Sequence, residues 1–420
     1  MSGEGCMVGG RLSNLFSGVV SKRLSAVEVD PERSHQHEFN GNTALRRLLG
    51  EENGRRRFPT RFIYFGEEEE DTLSTEGYLT WYDARENHPV RTEWRLYFPD
   101  NDVMKRAEEG DILLLAMRPD DTLLAIISPA HSLMTAGLLQ LFGIHAAAGE
   151  SFQFEDISAS RKELDFASGF ILRELGLQPP ETGNEKLAGL IAKIAGDGEF
   201  SFPPTREISA LARAEAEAPD PRDDPDTALA CWLEFEEALF RGLERQQLER
   251  RIASGFMKDG EADVDAFVET ALSVLNRRKS RMGLSLENHM EALLLAWQIR
   301  YERGAVTEGR SRPDFLFPGS REYHDPDFDH SLLTLLGVKS TLKDRWRQVL
   351  AEAARIEEKH LLTLQQGVSF HQIEEMRRNG LRFVVPSGLH GCFQNYDNWL
   401  MSVREFLELV RERQHRLRAL

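Results

Sequence analysis

A chain of 420 residues is longer than one ordinary hydrophobic core accommodates, so two domains are expected. Its 41% hydrophobic and 29% charged residues exclude a disordered protein, and no apolar run reaches the ~18–20 residues that span a bilayer. The net charge of −17 argues against a protein that coats nucleic acid non-specifically, because repulsion from phosphate opposes encounter; local basic surfaces on an acidic scaffold stay open. Cys6, Cys231 and Cys392 form neither a disulfide framework nor a zinc spacing. The N-terminus shows no basic patch followed by a long apolar stretch, so a cytoplasmic location is expected.

In chain order, residues 24–149 read as short β-rich runs at 60–65, 78–82, 94–98, 112–117 and 122–127. Turn signals such as Pro99-Asp100-Asn101-Asp102 and Arg118-Pro119-Asp120-Asp121 separate them, and an acidic loop occupies 67–71. That pattern predicts a mostly-β, barrel-like or sandwich-like domain over 20–175. A linker is expected over 176–200 and a second domain over 201–420, with the clearest loop at 218–225.

The second domain alternates helices and strands. Leu286, Met290, Leu293, Leu294 and Trp297 recur at helical spacing, which predicts an amphipathic helix from about Ser285. Buried strands follow at 314–317 and 332–339, then a helix with Trp346, Val349, Leu350 and Ala353 on its apolar stripe. Further strands are expected at 360–365 and 381–385, with Ser369 and Gln372 forming a capping box between them. Strand, helix and strand in this order imply a crossover, hence a partly parallel α/β sheet with helices on its faces.

This frame gives one spacing chemical meaning. Asp314 and Lys339 fall on neighbouring strands, and Glu352 lies on the helix that follows. Two acids that hold a divalent cation, plus an ammonium that orients water or neutralises phosphate, are the minimum for hydrolysing a phosphodiester. Glu287 is a plausible fourth member. Two basic clusters flank the set: Arg277, Arg278, Lys279 and Arg281, and Lys339, Lys343, Arg345 and Arg347. Ser387 and His390 share a loop but lack a nucleophile elbow, and His35 and His37 lack a third ligand, so neither is read as a site. The chain also has no Gly-x-x-x-x-Gly-Lys-Ser/Thr phosphate loop.

From about residue 202 onward the sequence resembles the catalytic half of the EcoRII restriction endonuclease family, a branch of the PD-(D/E)xK nucleases. The resemblance is carried by Asn276-Arg277-Arg278-Lys279-Ser280-Arg281, Ser285-Leu286-Glu287, Arg312-Pro313-Asp314-Phe315-Leu316-Phe317-Pro318, Tyr323-His324-Asp325, the run from Val338 to Leu350, Thr363 to Ser369, and Val384-Val385-Pro386-Ser387. It implies a restriction-endonuclease-like α/β fold, a Mg²⁺ cofactor and a homodimer that cuts double-stranded DNA at a short CC/GG-bounded site. A cognate DNA methyltransferase would protect the host. By the same resemblance Asp314, Glu352 and Glu287 hold metal, Lys339 is the catalytic lysine and Tyr323 joins the site. Gly337 occupies the slot of an acid displaced to Glu352. Lys343, Asp344 and Arg345 match the segment that reads C/G pairs, where Arg suits guanine and an acid suits cytosine.

The N-terminal resemblance is to the family's effector domain, a DNA-binding pseudobarrel, through Lys22 to Ala26, His35-Gln36 and Arg91-Thr92-Glu93-Trp94-Arg95. It implies that His35, Arg91, Glu93 and Arg95 grip a second copy of the target and activate cutting. Two alternatives share parts of this reading: a non-cutting DNA-binding regulator, and a structure-specific DNA nuclease on the same fold.

Overall fold

The computed structural model describes residues 10–419 apart from 31–36, 53, 67–71, 145–148, 159, 161–163, 165, 178–184, 197, 199–200, 259–260, 341, 343–344, 366–367, 369, 394–395 and 397. The acidic loop 67–71, His35, Lys343, Asp344 and the capping Ser369 therefore lie outside the described residues.

The N-terminal half is built on one eight-stranded sheet. In chain order its strands are β1 (Gly18–Arg23), β2 (Glu38–Asn40), β3 (Arg56–Tyr64), β4 (Leu73–Asp83), β5 (Trp94–Tyr97), β6 (Ile112–Met117), β7 (Leu123–Ser128) and β8 (Gln153–Asp156). Their spatial order is β2-β5-β4-β3-β7-β6-β1-β8, antiparallel except for the parallel β3–β7 pair. The sheet curls until its edges meet: the rings of Phe39 on β2 and Phe152 beside β8 pack at 5.9 Å, and Asn42 Nδ2 donates to Phe152 O. Alternation along the outer strands follows from that curl, because one face points inward onto Phe58, Phe62, Leu79, Trp81 and Leu96. β6 and β7 are buried on both faces, which is why they read as unbroken apolar runs. Their outer face lies under α1 (Leu133–Phe142) and α2 (Phe166–Glu174).

Those two helices also join the halves. Leu133 and Ala167 enter the hydrophobic core of the C-terminal half, and Cys392 Sγ lies 3.5 Å from Gln140 Oε1. The stretch expected to be a linker contains a helix, α3 (Glu185–Ala195), whose Leu187, Leu190 and Ile191 pack with Leu239, Phe240 and Leu243 of a long helix further on.

The C-terminal half opens with α4 (Thr205–Glu215), α5 (Pro225–Ala253) and α6 (Val264–Ala296), the last two joined by a β-hairpin of β9 (Met257–Lys258) and β10 (Glu261–Ala262). The helix expected from Ser285 starts 21 residues earlier, at Val264, and runs for 33 residues. Ser285 is buried inside it; the N-cap is Asp263, whose carboxylate accepts from Ala266 N at 2.9 Å. Ser285 precedes the fully buried stretch and so reads as a start, whereas the apolar residues of the first half, such as Val264, Phe267 and Leu272, are mostly exposed.

A six-stranded sheet follows: β11 (Glu302–Arg303), β12 (Phe315–Phe317), β13 (Thr334–Val338), β14 (Lys359–Leu362), β15 (Leu381–Val384) and β16 (Leu400–Met401), in that spatial order. β11 to β13 are antiparallel and β13 to β16 parallel. The partly parallel α/β sheet expected from the crossover pattern is thus present. Its helices are the short α7 (Ser320–His324), α8 (Arg345–Ala351), α9 (Phe370–Arg378) and α10 (Val403–Ala419). Among the described residues no helix is long and apolar enough to cross a membrane.

Candidate active site

Asp314 immediately precedes β12 and Lys339 immediately follows β13. These strands pair antiparallel with Phe315 opposite Leu336, so the residue before one strand and the residue after the other fall at the same edge of the sheet. Lys339 Nζ lies 2.7 Å from Asp314 Oδ2, and the same oxygen accepts from Val338 N at 2.6 Å. Both side chains are about 85% shielded from solvent, with 14% and 15% exposed. The lysine backbone is held separately, its N–H donating to Leu362 O on β14 at 2.9 Å.

Glu352 stands just past the last turn of α8 rather than within it, its N–H bonded to Val349 O. Ala353, which follows, has a left-handed φ of 51°. The turn folds the glutamate inward, leaving it 2% exposed with Oε2 lacking a hydrogen-bond partner among the described residues. Burial pushes its carboxyl above the usual range; the Lys339 ammonium pulls it back and the Asp314 charge adds to the rise. All three groups therefore share one electrostatic site.

Gly337 explains why the second acid comes from this helix. A Cβ at 337 would lie 2.7 Å from Val349 Cγ2, so α8 packs directly on the strand where a side chain would stand. A carboxylate two residues before the lysine has no room here. The helix that excludes it delivers Glu352 instead.

Glu287 sits apart from this trio. Its carboxylate is 2.7 Å from the Arg303 guanidinium, which also binds Glu291 at 3.0 Å. Arg303 lies on β11 opposite Phe315, and Gly304 N donates to Asp314 O, so Glu287 is one arginine removed from the aspartate. Among the described residues no group of three His, Cys, Asp or Glu side chains is gathered as a metal site. Asp314 and the orphaned oxygen of Glu352 are thus the donors present, and a hard divalent cation, which takes carboxylate oxygen, fits them.

Tyr323 is buried, and its hydroxyl is committed to Glu308 at 2.5 and 2.6 Å. Burial and that carboxylate raise its pKa to about 12. Glu308 also accepts from Ala354 N, and the Tyr323 hydroxyl accepts from Arg355 N at 3.3 Å. This places the tyrosine under the turn that follows Glu352, as a support for it. The Glu308 link was missed in the sequence because it spans 46 residues to Ala354 with no motif of its own.

Arg345 and Arg347 are exposed at the start of α8, with Arg347 stacked on Trp346 and 3.3 Å from Glu375. Arg277 and Arg278, expected as DNA contacts, reach across to α5: Arg277 to Gln247 at 2.6 Å, Arg278 to Glu244 at 2.9 and 2.5 Å. Arg281 is buried against Glu236 and Glu237. That cluster clamps two helices together. Ser387 and His390 are likewise structural, with Ser387 N donating to Asp226 and His390 Nε2 facing Val385 O.

On the N-terminal sheet Glu93 is gripped by Arg95 and Arg85, which together hold its carboxyl below the usual range. Arg95 also bonds Asn40, and Arg91 is exposed. Beside them the outer faces of β3, β4 and β5 form a cleft of about 380 Å³ lined by Arg55, Arg57, Tyr78, Thr80, Tyr82 and Tyr97. Arg57 stacks on Tyr78 at 3.9 Å and Arg55 on Tyr82 at 4.7 Å. These residues went unnoticed in the sequence, although the i, i+2 spacing of 55/57 and 78/80/82 marks one face of each strand.

Replacing Glu352 by glutamine is expected to raise the melting temperature in EDTA at pH 8. A folded pKa above the ordinary value means that the site favours the protonated acid. Its contribution to stability is whole below about pH 4.5 and is lost as pH rises through the raised value. The gain from glutamine should therefore shrink as pH falls toward 4.5. Equal melting temperatures at pH 8 would contradict this account of the site.

Residues 240–407 match the family model described as EcoRII C terminal. Over 168 residues the chain is 47% identical to the type II restriction enzyme EcoRII of Escherichia coli, a match covering 40% of each protein; the chain thus spans about two fifths of that relative's length. Among solved structures it is similar to the restriction endonuclease PspGI in complex with substrate DNA, at 18% identity and a TM-score of 0.42, covering 51% of this chain and 94% of that one. It is also similar to metal-depleted Ecl18kI bound to uncleaved, modified DNA, at 18% identity and a TM-score of 0.44, covering 55% and 84%. The segment from 240 to 407, which contains Asp314, Lys339 and Glu352, is thus the part of the chain that is similar to the C-terminal part of EcoRII.

Proposed function

We propose that this protein is a type II site-specific endonuclease making Mg²⁺-dependent double-strand cuts in DNA at a short CC/GG-bounded site. The observation that carries this reading is the ammonium of Lys339 held 2.7 Å from Asp314 beside a buried Glu352 carboxylate, in a segment 47% identical to EcoRII. Asp314 and Glu352 would hold the cation, which when bound stabilises the charge that a phosphate gains as water adds to it. Lys339 is fixed by Asp314 at one side and by its strand at the other. Its ammonium is placed to orient the attacking water and to neutralise a phosphate oxygen while one P–O bond replaces another. Arg345 and Arg347 begin the helix that ends at Glu352, so sequence reading and cutting would share one short element. Lys343 and Asp344 are proposed to read bases beside them.

Cutting both strands with one such site per chain calls for a homodimer whose two-fold axis matches that of the DNA. We assign Arg91, Glu93 and Arg95, with His35, to a second DNA-binding surface on the N-terminal sheet that activates cutting, and extend it to the Arg55/Arg57 cleft. A host methyltransferase protecting the same site follows from this activity. The test is plasmid DNA incubated with purified protein and Mg²⁺, followed by sequencing of the ends. Discrete ends at one recurring sequence are expected. Random ends, or cutting only at branched junctions, would favour the structure-specific alternative, and binding without cutting the regulator.

A further inference from the structure

The loop that leads into Asp314 turns at residues 308–311. Gly309 has φ 63° and ψ 16°, Arg310 has φ 65°, and Ser311 N donates to Glu308 O at 3.1 Å. Two left-handed residues under one such bond make a type I′ turn, whose second central position normally takes glycine because a Cβ is strained there. An arginine stands in it instead. Backbone strain of this kind persists only where surrounding contacts enforce it, and it concentrates at functional sites.

The contacts that enforce it lead to the candidate site. Thr307 N donates to Ser311 O at 3.0 Å and closes the turn at its base. Glu308, the first residue of the turn, accepts from the Tyr323 hydroxyl and from Ala354 N, two residues beyond Glu352. At the other end Arg312 is held extended by the proline that follows it, and Asp314 comes next. Arg312 is exposed, Pro313 buried and Asp314 half-buried, so Arg312 and Asp314 share the side of the chain opposite Pro313.

The two arginine side chains are also uncommitted. Arg278, Arg281, Arg300, Arg303 and Arg347 are each paired with a glutamate, and Arg355 bonds backbone carbonyls. Arg310 and Arg312 are exposed and have neither an ion pair nor a side-chain hydrogen bond among the described residues. On a chain of net charge −17, two uncompensated cations beside Asp314 make a local positive field, and arginine binds phosphate through charge-assisted bonds. We propose that Arg310 and Arg312 hold backbone phosphates of the DNA strand next to the one that is cut. The proposal rests on the endonuclease reading above and supplies contacts that orient the strand without reading its sequence. Because the turn is tied to the segments bearing Asp314 and Glu352, a phosphate held there fixes its neighbour relative to both carboxylates.

Cleavage kinetics of the full-length protein on plasmid DNA in Mg²⁺, at several salt concentrations, test this. The double variant Arg310→Gly/Arg312→Ala is expected to raise KM at least about tenfold while kcat stays within about threefold. The slope of log KM against log salt should flatten by about 2, one for each lost phosphate contact. Arg310→Lys keeps the charge and should keep its share of the slope. The sequence at the cut ends should not change, since phosphate contacts carry no base information. Arg310→Gly should also melt at or above the parent's temperature, because glycine relieves the left-handed backbone; this separates a lost contact from a lost fold. Unchanged KM and salt slope in the double variant overturn the proposal and leave the endonuclease reading standing. A loss confined to kcat, or an altered cut sequence, does the same. A parent that neither binds nor cuts plasmid DNA overturns both.

Discussion

Replacing Lys339 by alanine is expected to slow single-turnover cleavage by roughly 10³-fold or more, the scale on which a positioned donor at a reacting oxyanion acts. The structure gives reasons to expect loss of chemistry without loss of fold. The lysine lies just outside β13, and its backbone N–H stays bonded to Leu362 whatever the side chain. Asp314 keeps its bond from Val338 N, so the aspartate does not become an orphan. What disappears is the only side-chain cation that the described structure sets against Asp314. Affinity for target DNA, measured in Ca²⁺ by gel shift, should change by less than tenfold. Arginine at 339 should not rescue, because a broad planar fork does not replace a point ammonium at 2.7 Å from one oxygen. Cleavage within tenfold of the parent protein would remove Lys339 from the chemistry and with it the proposed function.

The largest stability effect is expected at a residue remote from the site. Asp226, on the first turn of α5, is 5% exposed, and its carboxylate accepts from three backbone N–H groups: Ser387 at 2.9 Å, Val403 at 3.0 Å and Arg404 at 3.0 Å. It thereby ties the start of α5 to the loop after β15 and to the first turn of α10, contacts spanning 161 to 178 residues. Alanine there leaves one buried and two part-buried backbone donors unsatisfied, at about 1–3 kcal/mol for the buried one and less for the others, so a net loss of about 2–4 kcal/mol is expected. Asparagine keeps one acceptor oxygen and should cost distinctly less. Chemical denaturation of the three proteins checks the order. If alanine cost under about 1 kcal/mol, this carboxylate would not be the clasp described.

Glu352 joins the two effects. The raised pKa of its carboxyl means that the fold bears a charged group that it would be more stable without. Active sites commonly hold such strained groups because a bound cation or substrate relieves them. Opposite signs for stability and activity in Glu352→Gln, set beside Lys339→Ala, would separate a metal-holding acid from a merely structural one.

Much of the C-terminal half was legible in the residues. The apolar runs at 315–317 and 334–338, bounded by a proline turn and a lysine, identify adjacent strands. The 25-residue interval between Asp314 and Lys339 places both at one sheet edge once the strands pair. The unbroken runs of β6 and β7 likewise declared strands covered on both faces.

Other features depended on contacts that no local pattern encodes. A helical wheel sets Glu352 on the flank of α8, yet the helix stops at Ala351 and a left-handed Ala353 turns the acid inward. Arg303 claims Glu287, and Glu308 claims Tyr323, through bonds across 16 and 15 residues. Arg277 and Arg278 reach Gln247 and Glu244 on α5, contacts about 30 residues away that the basic run does not encode. The sequence by itself determined which elements form and which residue types reach the edge of the sheet, since these follow from periodicity and steric rules within a few residues. Tertiary structure alone decided which carboxylates stay unpaired enough to take a cation, because that depends on which arginine, backbone N–H or helix face packing brings alongside.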